Sequence, residues 1–320
     1  MRIRRTRDGA GPDGVVRLCI MVSASSAGLR LMAVHAHPDD ESSKGAASAA
    51  RYISEGAQVM VVTCTGGERG DVLNASVVDE VDRDGIHAVR QREMAQAAAL
   101  LGVSHAWLGF EDSGLPEEDP DTGITPALPD NCFALVDLDE ATEPLVRLIR
   151  EFRPQVLTTY DEHGGYPHPD HIRTHEVSMA AVEAAADATL FPDSGDPWTV
   201  SKVYYHMTFH KARVMALHEA LEGADMESPY GDWLANWTDR PHDAERLTTL
   251  VPCAEWFGVR EEALRAHRTQ VDPEGPWFRV PLIMQQRVWP TEDFQLATST
   301  VETSLPEDDL FAGLRSEGAS

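Results

Sequence analysis

Short apolar runs alternate with longer helical patterns between residues 29 and 207, and this alternation constrains the fold more than any other feature. Two runs, LRLMAVHA at 29–36 and AQVMVVTCT at 57–65, have the length and composition of buried strands. The segment between them, residues 43–56, is rich in alanine and serine and ends at Gly56, as expected for a helix packed closely on a sheet. This order predicts a βαβ unit, and therefore a parallel sheet.

The alternation continues along the chain to residue 207. Further helices are predicted at 84–102, 141–154 and 171–187, and further strands at 104–110, 155–160 and 201–207. From about residue 208 the pattern becomes mostly helical. We therefore predict an α/β fold, with a Rossmann-like, mostly parallel sheet flanked by helices and a smaller, mostly helical C-terminal lobe.

The segments outside this alternation indicate the domain boundaries. Residues 1–28 start with a basic stretch and lack the continuous apolar region of a secretory signal, so we predict a disordered extension. Residues 29–207 would form the Rossmann-like domain, residues 208–302 the C-terminal lobe, and residues 303–320 an acidic, partly disordered tail. The proline- and acid-rich stretch 112–131 is expected to be a loop near the carboxyl edge of the sheet.

Composition argues against several classes of protein. The 320 residues include 53 acidic and only 27 basic side chains, which argues against nucleic acids or anionic membranes as partners, since these need a basic surface. No apolar run approaches the roughly 18 residues of a membrane-spanning helix. The four cysteines are scattered without a CxxC pair, which is typical of a chain kept reduced in the cytoplasm. We therefore predict a cytoplasmic protein.

The sequence VHAHPDDES, residues 34–42, concentrates ionisable side chains where the first predicted strand ends. In open parallel sheets, ligands bind at the carboxyl ends of the strands. His37 and Asp40 are three residues apart with a proline between them, a spacing that lets both side chains approach one cation from a turn. A single aspartate, Asp39 or Asp40, could instead cap the next helix. The combination of these residues with Glu41 favours a chemical role.

A second group of histidines, in TTYDEHGGYPHPDHIRTHE at 158–176, also lies between a predicted strand and a helix. His168 and His171 are about one helical turn apart, and Pro169 suits the first turn of a helix. Two histidines and a carboxylate from the first loop would form a catalytic metal site with one position open for water. Nitrogen and oxygen ligands without thiolate suit Zn²⁺, and also Fe²⁺ or Co²⁺. HxxH alone is more often a pair of surface or capping histidines, so this prediction depends on the HPDD motif at the other strand end.

The remaining motifs are less specific. The glycine-rich loop TGGERGD at 65–71 lacks the GK[ST] and GxGxxG patterns of phosphate-binding loops, so it is either a polar substrate-binding loop or a plain turn. AHRTQ at 266–270 has no interpretation by itself. The tryptophans after residue 208 are expected in the core, with the lining of a groove as the alternative.

Taken together, these motifs resemble those of the LmbE/PIG-L-type zinc-dependent N-acetylglucosamine deacetylases and amidases. The resemblance covers about residues 29–295 and is carried by HAHPDDESSKGA, TGGERGD, WLGFEDSGLP, TTYDEHGGYPHPDHIR, PWTVSKVYY and ALRAHRTQ. The longer motifs are similar to those of the branch that acts on mycothiol S-conjugates. The resemblance implies hydrolysis of the amide bond in such conjugates, which gives a mercapturic acid and glucosaminyl-inositol and serves detoxification.

The resemblance also implies roles for individual side chains. One Zn²⁺ per chain, or Fe²⁺ in its place, would be bound by His37, Asp40 and His171. Asp39 would be the general base that activates water. His168 would stabilise the oxyanion and protonate the leaving amine, with Asp170 as its orienting partner, and Tyr166 would polarise the carbonyl.

A polar pocket for the glucosaminyl-inositol part is implied as well. Its residues would be Glu68, Arg69, Asp71, Arg90, Asp112 and Gln270. Lys44 falls where the related deacetylase of the mycothiol precursor has a different residue, and a lysine there favours the larger conjugate. Deacetylation of the N-acetylglucosaminyl-inositol precursor is the alternative within the same chemistry. A non-catalytic sugar-binding module is the alternative from another class, and the general base argues against it because binding alone needs none.

Overall fold

The computed structural model describes residues 28–116, 124–238 and 245–315, and within these ranges seven strands form one sheet. The strands are β1 (Arg30–His35), β2 (Gln58–Thr65), β3 (Ser104–Phe110), β4 (Val156–Thr159), β5 (Lys202–His206), β6 (Thr249–Pro252) and β7 (Thr291–Ser299). The first five are parallel in the order β3-β2-β1-β4-β5, and the antiparallel strands β7 and β6 extend the sheet beyond β5. The predicted α/β class and its five predicted strands are confirmed.

Helices flank this sheet. They are α1 (Asp40–Ser43), α2 (Ala46–Ser54), α3 (Val78–Asp84), α4 (Ile86–Leu101), α5 (Leu138–Phe152), α6 (Pro169–Ala186), α7 (Lys211–Glu222), α8 (Gly231–Ala235), α9 (Phe257–Ala266) and α10 (Leu282–Val288). The helix predicted at 43–56 begins only at Ala46, because Gly45 before it has a φ of 84°, a conformation that residues with a side chain rarely adopt. A Cβ at Gly45 would lie 2.7 Å from Cε1 of His206, so the close approach of β5 also requires glycine.

Two apolar layers enclose the parallel strands. One is centred on α5 and α6, and its fully buried members include Met32, Leu145, Ile149, Val177 and Val203. The other joins α2 to the sheet and to the C-terminal segment, and its buried members include Tyr52, Val59, Tyr204, Phe294 and Phe311. Strands covered on both faces read as near-continuous apolar runs, which is why β1 and β2 were recognisable in the sequence. Polar chemistry is therefore confined to the ends of these strands.

The segment predicted as a helical lobe, residues 208–302, also supplies two strands of the main sheet. β7 pairs with both β5 and β6, so this segment continues the sheet of the preceding domain. The sequence of β7, TEDFQLATS, mixes charged and apolar residues and does not resemble the buried parallel strands. An antiparallel strand near the sheet edge tolerates such a mixture because only part of it is buried.

Part of the segment predicted as an acidic tail is built into the core. Leu310 and Phe311 are fully buried, and the N–H of Leu310 donates to the hydroxyl of Tyr52 at 2.8 Å. Nζ of Lys202 lies 2.6 Å from Oε1 of Glu307, and both side chains are almost completely buried. The acidic composition of this segment led to the prediction of a partly disordered tail. Two apolar residues and one carboxylate are nevertheless enough to anchor it. Residues 1–27 of the predicted extension and residues 316–320 lie outside the described residues.

Among the helices of the described ranges, none combines the length and the apolar composition that crossing a membrane requires.

The buried pair of Lys202 and Glu307 generates a stability prediction. Glu307→Ala would leave the Lys202 ammonium in the core without its carboxylate, and loss of one partner from a buried pair costs about 3–5 kcal/mol. We expect the free energy of unfolding, measured with urea at pH 7, to fall by that amount. Glu302→Ala, an exposed glutamate nearby, is the control and should change it by less than about 0.5 kcal/mol. Equal effects of the two substitutions would contradict an anchoring role for Glu307.

Candidate active site

The carboxyl ends of β1 and β4 bring the two histidine motifs together. The strands are parallel neighbours, with Ala33 opposite Thr158, so the chain leaves both at the same edge of the sheet. His37 and Asp40 follow β1, and His171 lies in the first turn of α6. One ligand atom from each of these three buried side chains lies within 4.8 Å of the others. The structure therefore places the three predicted metal ligands in one group, called the metal group below.

The hydrogen bonding of His171 leaves one ring nitrogen suited to a cation. Its Nδ1 lies 3.0 Å from the carbonyl oxygen of Gly164, which can only accept, so Nδ1 carries the proton. Nε2 then carries the lone pair, and it is buried without a hydrogen-bond partner among the described residues, 3.4 Å from Oδ2 of Asp40. Burial lowers the pKa of His171, so the ring is neutral at pH 7. A lone pair facing a carboxylate is repulsive unless a cation lies between them, so the metal group fits a divalent ion.

Carboxylates surround His37. Oxygens of Asp40, Asp112 and Asp170 lie 3.6, 3.6 and 3.2 Å from its ring nitrogens. Burial by itself would lower the pKa of His37, but these three carboxylates raise it well above its usual value. Burial would also raise the pKa of Asp112, yet its contact with His37 and its backbone hydrogen bonds hold it well below the usual range. The site therefore has an excess of negative charge, which favours a bound cation.

Asp39, the predicted base, has an unusual backbone conformation. Its φ is 124°, which residues other than glycine rarely adopt, and such strain costs on the order of 1–3 kcal/mol. Its N–H donates to Oε2 of Glu41 at 2.9 Å, and its carbonyl accepts from the N–H of Ser42 at 3.0 Å. The carboxylate is partly exposed and lies 3.5 Å from Nη2 of Arg90. Burial raises the pKa of Asp39 although Arg90 opposes this, which makes the carboxylate a stronger base than a free aspartate.

A buried pair of Glu41 and His267 supports this turn, and sequence analysis missed it. Nε2 of His267 lies 2.7 Å from Oε1 of Glu41. Although burial opposes ionisation of both groups, the pairing lowers the pKa of Glu41 to about 2 and raises that of His267. Two residues later, the N–H and hydroxyl of Thr269 both donate to the carboxylate of Glu93 on α4. The uninterpreted AHRTQ motif therefore joins the C-terminal segment to the turn that carries Asp39.

His168 caps the N-terminus of α6. Its Nδ1 accepts a hydrogen bond from the backbone N–H of Asp170 at 3.1 Å, so the proton of the neutral ring is on Nε2. Burial, together with the neighbouring rings of His37 and His171, lowers the pKa of His168 to about 3. A neutral ring with a fixed Nε2–H can donate a hydrogen bond to a developing oxyanion.

The carboxylate of Asp170 contacts a different histidine from the one expected. The resemblance paired Asp170 with His168, but only its backbone N–H reaches that ring among the contacts described. The carboxylate lies 3.2 Å from Nε2 of His37 and accepts hydrogen bonds from both the N–H and the hydroxyl of Ser113. This is the arrangement that orients a metal-binding imidazole. His37, His168 and Asp170 form a second possible ligand group.

Two tyrosines lie beside the metal group. Tyr166 is 42% exposed, with its ring centroid 4.5 Å from that of His171, and burial of the rest of the ring raises its pKa, so the hydroxyl stays protonated. Tyr160 is buried, and its hydroxyl donates to Oδ2 of Asp40 at 2.7 Å. Tyr160 had been assigned only to the end of a strand. Its position directly before the DEHGG loop was the one available signal that it belongs to the site.

The predicted substrate-binding residues after β2 and β3 form one network with Gln270, which follows α9, and this network is called the polar network below. The N–H of Arg69 donates to Oδ2 of Asp112 at 2.9 Å, and the N–H of Asp112 lies 3.2 Å from Oε2 of Glu68. The amide nitrogen of Gln270 donates to the carbonyl of Asp71 at 2.9 Å. The structure thus brings these five residues together, and Asp112 joins them to the metal group.

Arg90 and Lys44 make strong contacts within the protein itself. Nη1 of Arg90 donates to the carbonyl of Gly67 at 2.5 Å and Nη2 to that of Pro38 at 2.7 Å, so the guanidinium braces the glycine-rich loop against the metal-group turn. Nζ of Lys44 lies 2.6 Å from Oδ1 of Asp40, and the side chain is buried. Lys44 also borders a cavity, so it faces both a candidate metal ligand and the space for a substrate.

Comparisons with known proteins agree with this geometry. A family model described as GlcNAc-PI de-N-acetylase, PIG-L, matches residues 32–182. A curated relative from Streptomyces coelicolor named mycothiol S-conjugate amidase is 59% identical over 290 residues, which cover 90% of this chain and 98% of the relative. A relative from Streptomyces scabiei named 1D-myo-inositol 2-acetamido-2-deoxy-alpha-D-glucopyranoside deacetylase is 39% identical over 302 residues, 91% of each chain.

Solved structures share the fold. N,N'-diacetylchitobiose deacetylase from Pyrococcus horikoshii has a TM-score of 0.55 at 18% identity over 83% of each chain. The conserved protein TT1542 from Thermus thermophilus has a TM-score of 0.52 at 22% identity, over 86% of this chain and 97% of that one. At such identities the likeness shows the fold alone. The 59% identity over nearly the whole length carries further: the chain belongs to the PIG-L family and is an enzyme of this deacetylase and amidase family.

Proposed function

We propose that this enzyme hydrolyses the amide bond of mycothiol S-conjugates and releases a mercapturic acid and glucosaminyl-inositol. The observation that carries the proposal is the metal group, in which the buried Nε2 of His171 faces Asp40 without a hydrogen-bond partner among the described residues. The choice of substrate rests on the 59% identity to the Streptomyces coelicolor amidase. Detoxification in the cytoplasm is the setting that we propose for this reaction.

A divalent metal ion bound by His37, Asp40 and His171 would polarise the amide carbonyl and lower the pKa of a water molecule. The donor set of two ring nitrogens and a carboxylate oxygen suits one Zn²⁺ per chain, and it also suits Fe²⁺. The carboxylate of Asp170 contacts Nε2 of His37, and the hydroxyl of Tyr160 donates to the carboxylate of Asp40. Such outer contacts keep the ligand atoms oriented before a metal binds.

Asp39 and His168 would divide the proton transfers of amide hydrolysis. Asp39 is proposed to accept the proton of the attacking water, and its raised pKa suits that task. His168 is proposed to donate from Nε2 to the oxyanion. His168 is proposed to protonate the leaving amine as well, and the proton that Asp39 takes from the attacking water replaces the one delivered, so the proton count is unchanged over the reaction. Tyr166, which is 42% exposed beside the metal group, is proposed to donate to the carbonyl oxygen.

The polar network is proposed to bind the glucosaminyl-inositol part of the substrate. Its members, Glu68, Arg69, Asp71, Asp112 and Gln270, offer both donors and acceptors, which the hydroxyl groups of a polyol require. Arg90 would act by bracing the loops around the pocket, since its guanidinium is bonded to their carbonyl groups. The segment 208–302 would complete the pocket, because it contributes Gln270 and much of the neighbouring cavity wall.

Deacetylation of the N-acetylglucosaminyl-inositol precursor is the second candidate. Relatives with this activity in their name, such as that of Streptomyces scabiei at 39% identity, favour it. Both reactions hydrolyse an amide of the same amino sugar, so the metal group serves either. They differ in the acyl part, which is a substituted cysteine in one case and an acetyl group in the other. Activity on the two substrates therefore separates the candidates.

Metal binding is tested with His171→Ala. Because a first ligand is removed, the affinity for Zn²⁺ should fall by more than the roughly 10- to 100-fold effect of changing an outer contact. Metal content after dialysis, measured by elemental analysis with circular dichroism as a check on folding, gives the readout. His218→Ala on α7 is the control and should keep its metal. A full complement of metal in folded His171→Ala would show that the ion is held elsewhere.

The general base is tested with Asp39→Asn. Asparagine tolerates positive φ about as well as aspartate, so the turn should persist, but the amide cannot accept the proton. We expect metal content to be retained and kcat to fall by about 10²- to 10⁴-fold. Asp79→Asn, an exposed change on α3, is the matched control. Near-normal turnover in Asp39→Asn would mean that Asp39 has only a structural role.

Substrate choice is tested with Lys44→Ser and the two candidate substrates. The wild-type enzyme should have the higher kcat/KM for an S-conjugate, and the reverse order would favour the deacetylase. A charge-assisted hydrogen bond from Lys44 to the cysteine part is worth on the order of 1.5–3 kcal/mol, so its loss should lower kcat/KM for the conjugate about 10- to 150-fold. Hydrolysis of the precursor, which lacks that part, should fall less, because it loses only the support that Lys44 gives to Asp40. Equal losses on both substrates would show that Lys44 acts through Asp40.

A further inference from the structure

Two neighbouring cavities open beside the metal group and share part of their walls. One, of about 460 Å³, is bordered by Lys44, Tyr160 and Tyr166, and the other, of about 320 Å³, reaches Ser42 and Ser43 next to the metal group. Thr208, Phe209 and Trp233 line both. Ligand pockets typically measure about 300–1,000 Å³, so each is large enough to hold a substrate group. We call the second one the aromatic cavity.

Three aromatic side chains in the wall of the aromatic cavity are partly exposed to solvent. Phe209, Trp233 and Trp277 are 42%, 40% and 44% exposed. The ring of Phe209 lies 5.8 Å from that of Trp233 and 5.6 Å from that of Trp277. Behind the rings, the buried side chains of Val214 and Leu217 belong to the same wall. When an apolar ligand covers large exposed rings around a cavity, their apolar surface is removed from water, which favours binding.

Two arginines of this cavity already have partners within the protein. Nη2 of Arg260 donates to Oε1 of Gln285 at 2.5 Å, and its guanidinium lies 4.0 Å from the ring centre of Phe257. Nη1 of Arg213 lies 3.3 Å from the carbonyl oxygen of Thr208. Part of the hydrogen-bonding capacity of the wall is therefore used within the protein, and the wall also offers a ligand the ring faces of Phe209, Trp233 and Trp277.

The order of the strands directs the two parts of an amide substrate to opposite sides. Four of the five residues of the polar network follow β2 or β3, on one side of β1, whereas Thr208 and Phe209, which line both cavities, follow β5, on the far side of β4. The metal group lies between them, at the ends of β1 and β4. A substrate with its amide carbonyl at the metal group would then reach the polar network with its amino-sugar part and the cavities with its acyl part.

Building on the amidase function proposed above, we propose that the aromatic cavity binds the apolar, preferably aromatic, substituent carried on the sulfur of the conjugate. The acylated cysteine occupies the cavity beside Lys44, and its thioether extends past Phe209 and Trp233. Conjugates of aromatic and other bulky apolar electrophiles fill the aromatic cavity, whereas an S-methyl conjugate leaves it empty. The cavity thereby selects the class of electrophile that the enzyme processes most efficiently.

The test uses product binding, because it needs no turnover. Calorimetry measures the affinity of the metal-loaded enzyme for N-acetyl-S-(naphthylmethyl)cysteine and for N-acetyl-S-methylcysteine. We expect the aromatic compound to bind at least about tenfold more tightly, since burial of a naphthyl group in a ring-lined pocket is worth that much or more. In Trp233→Ala the ratio of the two affinities should fall to about threefold or less, and Trp233→Phe, which keeps a ring, should retain an intermediate ratio.

The control is Ile283→Ala, an exposed apolar residue of α10 that lines neither cavity, and it should keep the wild-type ratio. Equal affinities of the wild-type enzyme for the two compounds would overturn the proposal, as would an unchanged ratio in folded Trp233→Ala. Hydrolysis of the matching S-conjugates is assayed separately. If no conjugate is hydrolysed while the binding preference and its loss in Trp233→Ala persist, the amidase function fails and the aromatic cavity is supported.

Discussion

The parallel pairing of β1 with β4 is the constraint on which the site depends. Because these strands are neighbours with the same direction, HPDDE and HPDH leave the sheet at one edge and face each other. One more strand between them would add about 4.8 Å, which is more than twice a typical metal–ligand distance. The glycines at 45 and 164 serve the same arrangement, since a Cβ at either would strike His206 or His171.

Buried cations hold the turn after β1 in place. Lys44 contacts Asp40, Arg90 bonds the carbonyl of Pro38, and His267 pairs with Glu41. Each is an ionised group that would be costly to bury alone, so cation and partner depend on each other. Together they stabilise a backbone conformation at Asp39 that the isolated segment would avoid. The same contacts that neutralise buried charge therefore fix the position of the proposed base.

Features that depend on local pattern were predictable from the sequence, and features that depend on distant partners were not. The five parallel strands and the two strand-end motifs follow from apolar runs and from the position of charged residues beside them. The contact of Tyr160 with Asp40 and the pairing of Glu41 with His267 involve residues 120 and 226 positions apart, and nothing local identifies such partners. β7 was missed because its mixed composition suits a partly buried antiparallel strand, and Leu310 and Phe311 were missed because acidic neighbours surround them. The polar network was placed by family resemblance, since single polar residues in loops have no period.

The large sequence separation of Glu41 and His267 bears on the order in which the contacts of a newly made chain can form. The strand before the HPDDE turn is synthesised early, whereas its partner histidine follows 226 residues later, and the segment that bonds Tyr52 follows later still. Until then the nascent chain carries the histidines and aspartates of the metal group without the support that orients Asp39. Contacts so distant in sequence also form slowly, because a long loop must close before they contribute. The turn that carries Asp39 therefore gains this support only after residue 267 has joined the fold.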